Sequence, residues 1–207
     1  MKITAIKQQV KQKSRYSIFV DDEYAFSLGS DALLDAQLSI GREIDESELA
    51  AFKKLSSDDK AYGLTLAYIA RRMRSEGELR DYFRRKEYDE GLVDQLLERL
   101  KKSKWLDDVD FAERWVENRR QLKQSSTKKI RLELRQKHVA SDIIDNVLGH
   151  QEEDEHKALK LLIEKKRRQS RYQDNEKLMA YLARQGFAYG DIKTALQNGD
   201  WLLRSST

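Results

Sequence analysis

Apolar positions follow two rhythms along this chain, and the change falls near Ser57. Before it, Tyr16-Ser17-Ile18-Phe19-Val20 and Glu23-Tyr24-Ala25-Phe26-Ser27-Leu28 are rich in β-branched and aromatic residues, with Asp21-Asp22 between them. Tyr24, Phe26 and Leu28 alternate with small or polar residues, the period of two expected of a half-buried strand. The pair reads as a hairpin turned by the two aspartates, with Ile3–Val10 as a third strand. Ser30 is expected to cap a short helix carrying Ala32, Leu33 and Leu34 that ends near Gly41. Ser47–Leu55 is expected to form another, with Leu49, Phe52 and Leu55 on one face.

Beyond Ser57 the strand pattern stops and apolar residues recur at three and four. The segments starting at Glu78, Lys129 and Lys177 superimpose with shifts of 51 and 48 residues. Their anchors are Leu79/Ile130/Leu178, Phe83/Leu134/Leu182 and Tyr88/Val139/Phe187, and the next helix repeats Val93/Ile144/Ile192, Leu96/Val147/Ala195 and Leu97/Leu148/Leu196. Each block has a longer helix in front, at Asp59–Met73, Asp108–Leu122 and Glu155–Arg168. The pattern predicts three tandem three-helix repeats. Cap residues agree: Ser75-Glu76-Gly77-Glu78 is a capping box, and Asp107, Ser125 or Ser126, and Asp174 stand where helices should begin. The predicted fold is mainly α and elongated, with a small N-terminal α+β (β-hairpin) module over 1–56. Repeats follow at 57–107 and 108–153, and 154–207 holds the third repeat and a C-terminal tail.

Composition narrows the function. Among 207 residues there is no proline and no cysteine. The first leaves no proline to break a helix; the second excludes disulfides, thiolate metal sites and a cysteine nucleophile. Charged residues make up 37%, yet 39% hydrophobic residues and a net charge of only +4 are compatible with a packed core. The ten uncharged residues Ala61–Ala70 are too short to cross a bilayer. The N-terminal segment lacks the apolar run of a signal peptide, so a cytoplasmic protein is expected. Charge is uneven: residues 1–59 carry net −3, 60–137 carry +7, and 138–207 carry 0. A basic middle third draws in phosphate backbones or acidic protein surfaces, unless its cations coat the helices beside neutralising acids.

Three segments resemble a known family. Arg72-Met73-Arg74-Ser75-Glu76-Gly77-Glu78-Leu79 is similar to the R-x-R-S-E-x-E-L segment of RecX regulatory proteins. Trp105-Leu106-Asp107-Asp108-Val109-Asp110-Phe111-Ala112 resembles their Y-L-D-D-x-x-F-A segment, with Trp105 in place of the usual tyrosine. Ile130–Lys137 resembles their I-x-x-E-L-x-x-K helix. The resemblance covers about residues 57–200, and the N-terminal module is similar to an extension on longer members. It implies a non-catalytic, cofactor-free monomer that binds the RecA recombinase and its filament on single-stranded DNA. Such proteins inhibit filament growth, ATP hydrolysis, strand exchange and the coprotease activity behind the SOS response. The alternative from another class is a tri-helical protein that binds DNA directly, with Lys128–Lys137 as a recognition helix.

Candidate partner-binding or DNA-binding residues come from the basic pattern. Arg80 aligns with Arg131 and Arg84 with Arg135, each pair spaced i, i+4 on one helix face, and Lys128 extends the stripe. The third repeat has Met179 and Ala183 there. This predicts a surface facing an anionic partner; the competing reading is ion pairing within the bundle. Arg71, Arg72 and Arg74 end one leading helix, and Arg119, Arg120 and Lys123 end the next. Lys165-Lys166-Arg167-Arg168 ends the third, where cations complement the helix dipole. Trp105, Phe111 and Trp115 are expected in a core. His150 and His156 lie six apart, on different helix faces, and are expected to be solvated rather than metal ligands. Asp107-Asp108 reads as a helix cap rather than an acid/base pair. No phosphate-binding Gly-x-x-x-x-Gly-Lys-Ser/Thr loop is present.

Overall fold

The computed structural model describes residues 1–149 and 152–197. The chain divides into two compact units, residues 1–73 and the residues from 74 on.

The first unit opens with an antiparallel sheet in the order β1 (Ile3–Gln8), β2 (Arg15–Val20), β3 (Glu23–Gly29). Asp21 and Asp22 both take positive φ, 47° and 68°, as a two-residue hairpin turn requires. Ile3, Ile18, Val20, Phe26 and Leu28 form its core with Ala32 and Ile44. Tyr24 departs from the expected alternation and is 60% exposed. Its cause is a bulge: Ile18 pairs with Phe26 but Phe19 pairs with Tyr24, so Ala25 is an extra residue that turns Tyr24 to the other face.

Helix α1 (Ser30–Asp35) is not capped by Ser30; Gly29 is the N-cap, and the Ser30 hydroxyl donates to Ser14 O. The two helices expected at 47–55 and 59–73 are one 24-residue helix, α2 (Glu46–Ile69), begun by a capping box between Asp45 and Glu48. Ser56 and Asp59 look like N-cap residues in sequence but bind the sheet instead. The Ser56 hydroxyl donates to Ser27 O at 2.6 Å. Asp59 accepts from Gly29 N at 2.9 Å and pairs with Arg15 at 2.8 Å.

The second unit is helical: α3 (Glu76–Arg85), α4 (Glu90–Lys102), α5 (Asp108–Lys123), α6 (Thr127–Gln136), α7 (Ser141–Leu148), α8 (Glu152–Arg167), a 3₁₀ turn (Ser170–Tyr172), α9 (Asn175–Arg184) and α10 (Tyr189–Gln197). Two of the repeats each enclose their own core. Phe111, Ala112, Val116, Ile130, Leu134, Val139, Ile144 and Leu148 fill one. Leu159, Ile163, Leu178, Leu182, Phe187 and Ile192 lie in the next. Leu79, Phe83, Leu96, Leu97 and Leu100 are the buried residues of α3 and α4.

The repeated anchors have a specific cause. Helices α3, α6 and α9 all end in a Schellman turn: Tyr88, Val139 and Phe187 N–H donate to Phe83, Leu134 and Leu182 O. The residue before each, Glu87, His138 or Gly186, takes positive φ. The turn folds the distal apolar side chain back over the helix, as in the stacked rings of Phe83 and Tyr88, 5.9 Å apart.

The repeats are joined by two junctions of one kind. Ser75 caps α3 by accepting from Glu78 N, and its hydroxyl donates to the Lys137 carbonyl at the end of α6. Ser126 caps α6 by accepting from Lys129 N, and donates to the Gln185 carbonyl at the end of α9, at 2.7 Å. Side chains reinforce both contacts: Lys137 Nζ meets Glu78 at 3.0 Å, and Lys129 Nζ meets Gln185 Oε1 at 2.8 Å. The second helices therefore meet end to end, carbonyl pole to amide pole, an arrangement their dipoles favour.

Candidate functional site

The repeated arginines divide into those engaged within the fold and those facing outward. Arg80 pairs with Glu76 at 2.8 Å and with Asp94 of α4 at 3.7 Å. Arg131, at the equivalent position, pairs with Asp145 of α7, the equivalent of Asp94. In the third repeat both partners change, to Met179 and Lys193. The repetition of these arginines, and its loss, thus follows a helix-to-helix ion pair. Arg84 remains well exposed beside Asp81, 2.9 Å away.

Arg119 and Arg120 are held inside the bundle. Arg119 pairs with Glu133, and its guanidinium lies 4.1 Å from the Trp115 ring centroid. Trp115 Nε1 donates to the same Glu133 at 2.9 Å, and Lys137 Nζ stands 4.3 Å from the ring. Arg120 donates to Ser125 O at 2.7 Å and to Thr127 Oγ1 at 2.6 Å, with Glu155 at 3.9 Å. Burial lowers the Arg120 pKa, but arginine keeps its charge at any physiological pH. These residues clamp the α5–α6 corner.

What remains outward is a smaller set. Arg71 and Arg72 are exposed after α2, and Arg72 donates to Met73 O at 3.0 Å. Arg74 is half-buried. Lys123, Lys128 and Arg135 are exposed and, among the described residues, have no ion-pair partner. On α6, Lys128, Leu132 and Arg135 stand at i, i+4 and i+7, which places them on one stripe. Leu132 is 57% exposed between the two cations. That aliphatic centre was not part of the expected surface, because an apolar residue at helical spacing reads as core.

The aromatics separate as well. Phe111 is buried and Trp115 packs half-buried on the same core. Trp105, expected in the core, is instead 56% exposed. Its backbone N–H donates to Leu100 O at 2.9 Å in the turn that ends α4, and Leu106, the next residue, is the one that is buried. Asp107 caps α5 through the amides of Val109 and Asp110. Asp108 has a separate role: its carboxylate accepts from Glu76 N at 2.7 Å, tying the start of α3 to the start of α5. Burial raises its pKa against that hydrogen bond.

His156 stands 3.8 Å from Asp191 and His138 3.3 Å from Asp81; His150 lies outside the described residues. Among the described residues no group of three or more His, Cys, Asp and Glu is placed to hold a metal ion, and no helix is long and apolar enough to cross a membrane. An open cleft of about 650 Å³ between α5, α7 and α8 is lined by Glu113, Glu117, Arg120, Val147, Asp154 and Leu161. Its mixed charges include no nucleophile paired with a base.

The comparisons follow this architecture module by module. The Regulatory protein RecX N-terminal domain matches residues 1–45. The first, second and third three-helix domains of RecX match residues 61–100, 107–148 and 152–196. The regulatory protein RecX of Oceanobacillus iheyensis is 34% identical over 209 residues, covering 96% of this chain and 77% of its own. That of Bacillus pumilus is 30% identical over 200 residues, covering 94% and 76%. A crystal structure of regulatory protein RecX has a TM-score of 0.73 at 28% identity, over 93% of this chain and 97% of that one. RecX from Lactobacillus salivarius shares the fold with a TM-score of 0.60 at 23% identity, over 68% and 95%. With all four modules matched in order and a relative 34% identical over 96% of this chain, the chain belongs to the RecX family of regulatory proteins.

Proposed function

We propose that this protein is a non-catalytic regulator that binds the RecA recombinase and its filament on single-stranded DNA. It works from the cytoplasm as a monomer and inhibits filament growth. Loss of ATP hydrolysis, strand exchange and SOS coprotease activity follows from shorter filaments, since each requires one. The observation that carries this reading is the ordered set of four RecX modules along the chain. The structure supports it with a surface suited to contact rather than chemistry: Lys123, Lys128 and Arg135 outward and unpaired among the described residues, with Arg84 exposed at the position of the first repeat that is equivalent to Arg135. Arg71, Arg72 and Arg74 are further candidate residues, taken one by one. Arg80, Arg119, Arg120 and Arg131 support these surfaces from within.

Direct DNA reading by α6 is the weaker alternative. A recognition helix contacts base edges and phosphates with several free polar groups, whereas the outer stripe of α6 offers two free cations around Leu132. The test is single-stranded-DNA-dependent ATP hydrolysis by RecA with and without this protein. Slowing at less than one regulator per recombinase is expected; unchanged hydrolysis at saturating regulator overturns the proposal.

A further inference from the structure

Helix α4 ends in the same kind of turn as α3, α6 and α9, with a different outcome. Trp105 N–H donates to Leu100 O at 2.9 Å and Lys104 N–H to Lys101 O at 3.0 Å, with Lys104 at φ 57°. This is a Schellman turn, whose distal residue ordinarily folds onto the helix. Val139 and Phe187, in the same position of their turns, are buried and Tyr88 is half-buried. Trp105 is 56% exposed, a large indole held in solvent on a fixed backbone.

Its neighbours are not those of a hydrophobic hot spot. Lys102, Ser103 and Lys104 are all exposed. Lys101 is paired with Glu76 at 2.6 Å, but Lys102 and Lys104 have no ion-pair partner among the described residues. Two acids follow, and both are committed: Asp107 to the amides of Val109 and Asp110, Asp108 to the amide of Glu76. Their negative charge meets the positive ends of α5 and α3. An exposed aromatic face beside exposed, unpaired ammonium groups is the combination that binds single-stranded nucleic acid, the ring stacking on a base and the cations following the phosphates.

We propose that Trp105, with Lys102 and Lys104, is a base-stacking site for single-stranded nucleic acid. The site stands on the geometry of the α4 turn and not on recombinase binding, so its binding test is run without recombinase. The experiment is fluorescence anisotropy of the full chain with a labelled oligo(dT) of about 20 nucleotides, and with an abasic strand of equal length. Stacking on one aromatic contributes roughly 5–100-fold in affinity, so Trp105→Ala should weaken oligo(dT) binding by that range while Trp105→Phe stays within a few-fold. Replacing Lys102 and Lys104 by Gln should flatten the slope of log K against log salt by about 1.4, at about 0.7 per phosphate neutralised on a single strand. This variant keeps the proposal testable even if Trp105→Ala does not fold. The abasic strand should bind wild type and Trp105→Ala alike. Oligo(dT) affinity unchanged in Trp105→Ala, equal wild-type binding of the abasic strand, or no oligo(dT) binding at low salt each overturns the proposal. So does a Trp105→Ala protein that binds oligo(dT) normally but no longer slows RecA, which would make the indole a protein contact.

Discussion

His138 fills the space that a side chain on Gly77 would need. A Cβ on Gly77 would lie 2.2 Å from the His138 Cβ and 3.2 Å from its Cα. The second junction solves the problem from the other side. There Gly186, at the position of His138, faces Lys128, at the position of Gly77, and a Cβ on Gly186 would come within 2.7 Å of the Ser126 hydroxyl. One glycine per junction lets one helix end close on the next helix start.

Gly77→Ala should therefore destabilise by about 1–3 kcal/mol through overpacking. Gly63→Ala, where a Cβ meets nothing within 4 Å in the interior of α2, should instead stabilise by about 0.5–1 kcal/mol. Adding His138→Gly to Gly77→Ala should recover most of the loss, since it removes the clash and relieves the positive φ at 138. Urea melts of the three variants decide this; a neutral Gly77→Ala would contradict the close approach.

The junction serines should outweigh an ordinary cap. Ser126→Ala removes both the cap to Lys129 and the bond to Gln185, and should cost about 2–3 kcal/mol. Asp174→Ala, which removes a cap and an exposed i, i+3 pair with Lys177 but no bond to another helix end, should cost about 1 kcal/mol. Equal losses in thermal melts would mean that the Gln185 bond adds nothing.

Phe83 and Leu134 have no exposed surface, and truncating either to Ala should cost about 2–5 kcal/mol. Arg85 and Gln136, exposed on the same helices, should change stability by less than about 0.5 kcal/mol on replacement. Chemical denaturation of the four variants checks the helical register.

Arg131 and Arg135 should separate by phenotype. A double-mutant cycle between Arg131 and Asp145 should show a coupling of about 1 kcal/mol or less, as expected of a partly exposed pair. Lys128→Ala with Arg135→Ala should leave the melting temperature unchanged and weaken filament binding several-fold, most at low salt. Normal binding by that variant would remove the α6 stripe from the interface.

Asp108 sets a pH dependence of stated sign. A carboxyl whose folded pKa is raised holds its proton more tightly in the folded chain. It therefore lowers stability as pH rises through the ordinary carboxylate range, and the loss is absent below that range. Asp108→Asn keeps an acceptor for the Glu76 amide and cannot ionise. It should be more stable than wild type at pH 7, with the difference closing toward pH 3; the reverse trend in urea midpoints would show that burial is not the dominant influence.

The repeat was legible because Schellman turns force an apolar residue five positions after a buried one, as in Phe83–Tyr88, Leu134–Val139 and Leu182–Phe187. Helix starts were legible at Ser75, Asp107 and Asp174 because a capping side chain needs only the amides two or three residues on. Features decided by distant partners were not. Ser56 and Asp59 carry the chemistry of a helix start, and only their bonds to Ser27, Gly29 and Arg15 make them mid-helix. Trp105 has the hydrophobicity of a core residue and the surroundings of a surface one. For Arg80 and Arg131 a signal did exist: the repeats substitute in pairs, Arg with Asp twice and then Met179 with Lys193, which marks a contact within each repeat rather than a shared external partner.

Asp174 stands where Ser75 and Ser126 stand, and what it lacks is the hydroxyl hydrogen they donate. A serine can accept from its own helix and donate to the carbonyl of the next. A carboxylate that the amides of Lys177 and Glu176 hold ionised, below the usual carboxylate range, only accepts. Asp174 therefore caps the start of α9 without offering a donor to a further helix end. The rule that joins α3 to α6 and α6 to α9 carries its own stop signal, much as the polar end-caps of repeat arrays do. Asp174→Ser would restore a donor at that face, turning a terminated array into one with an open coupling end.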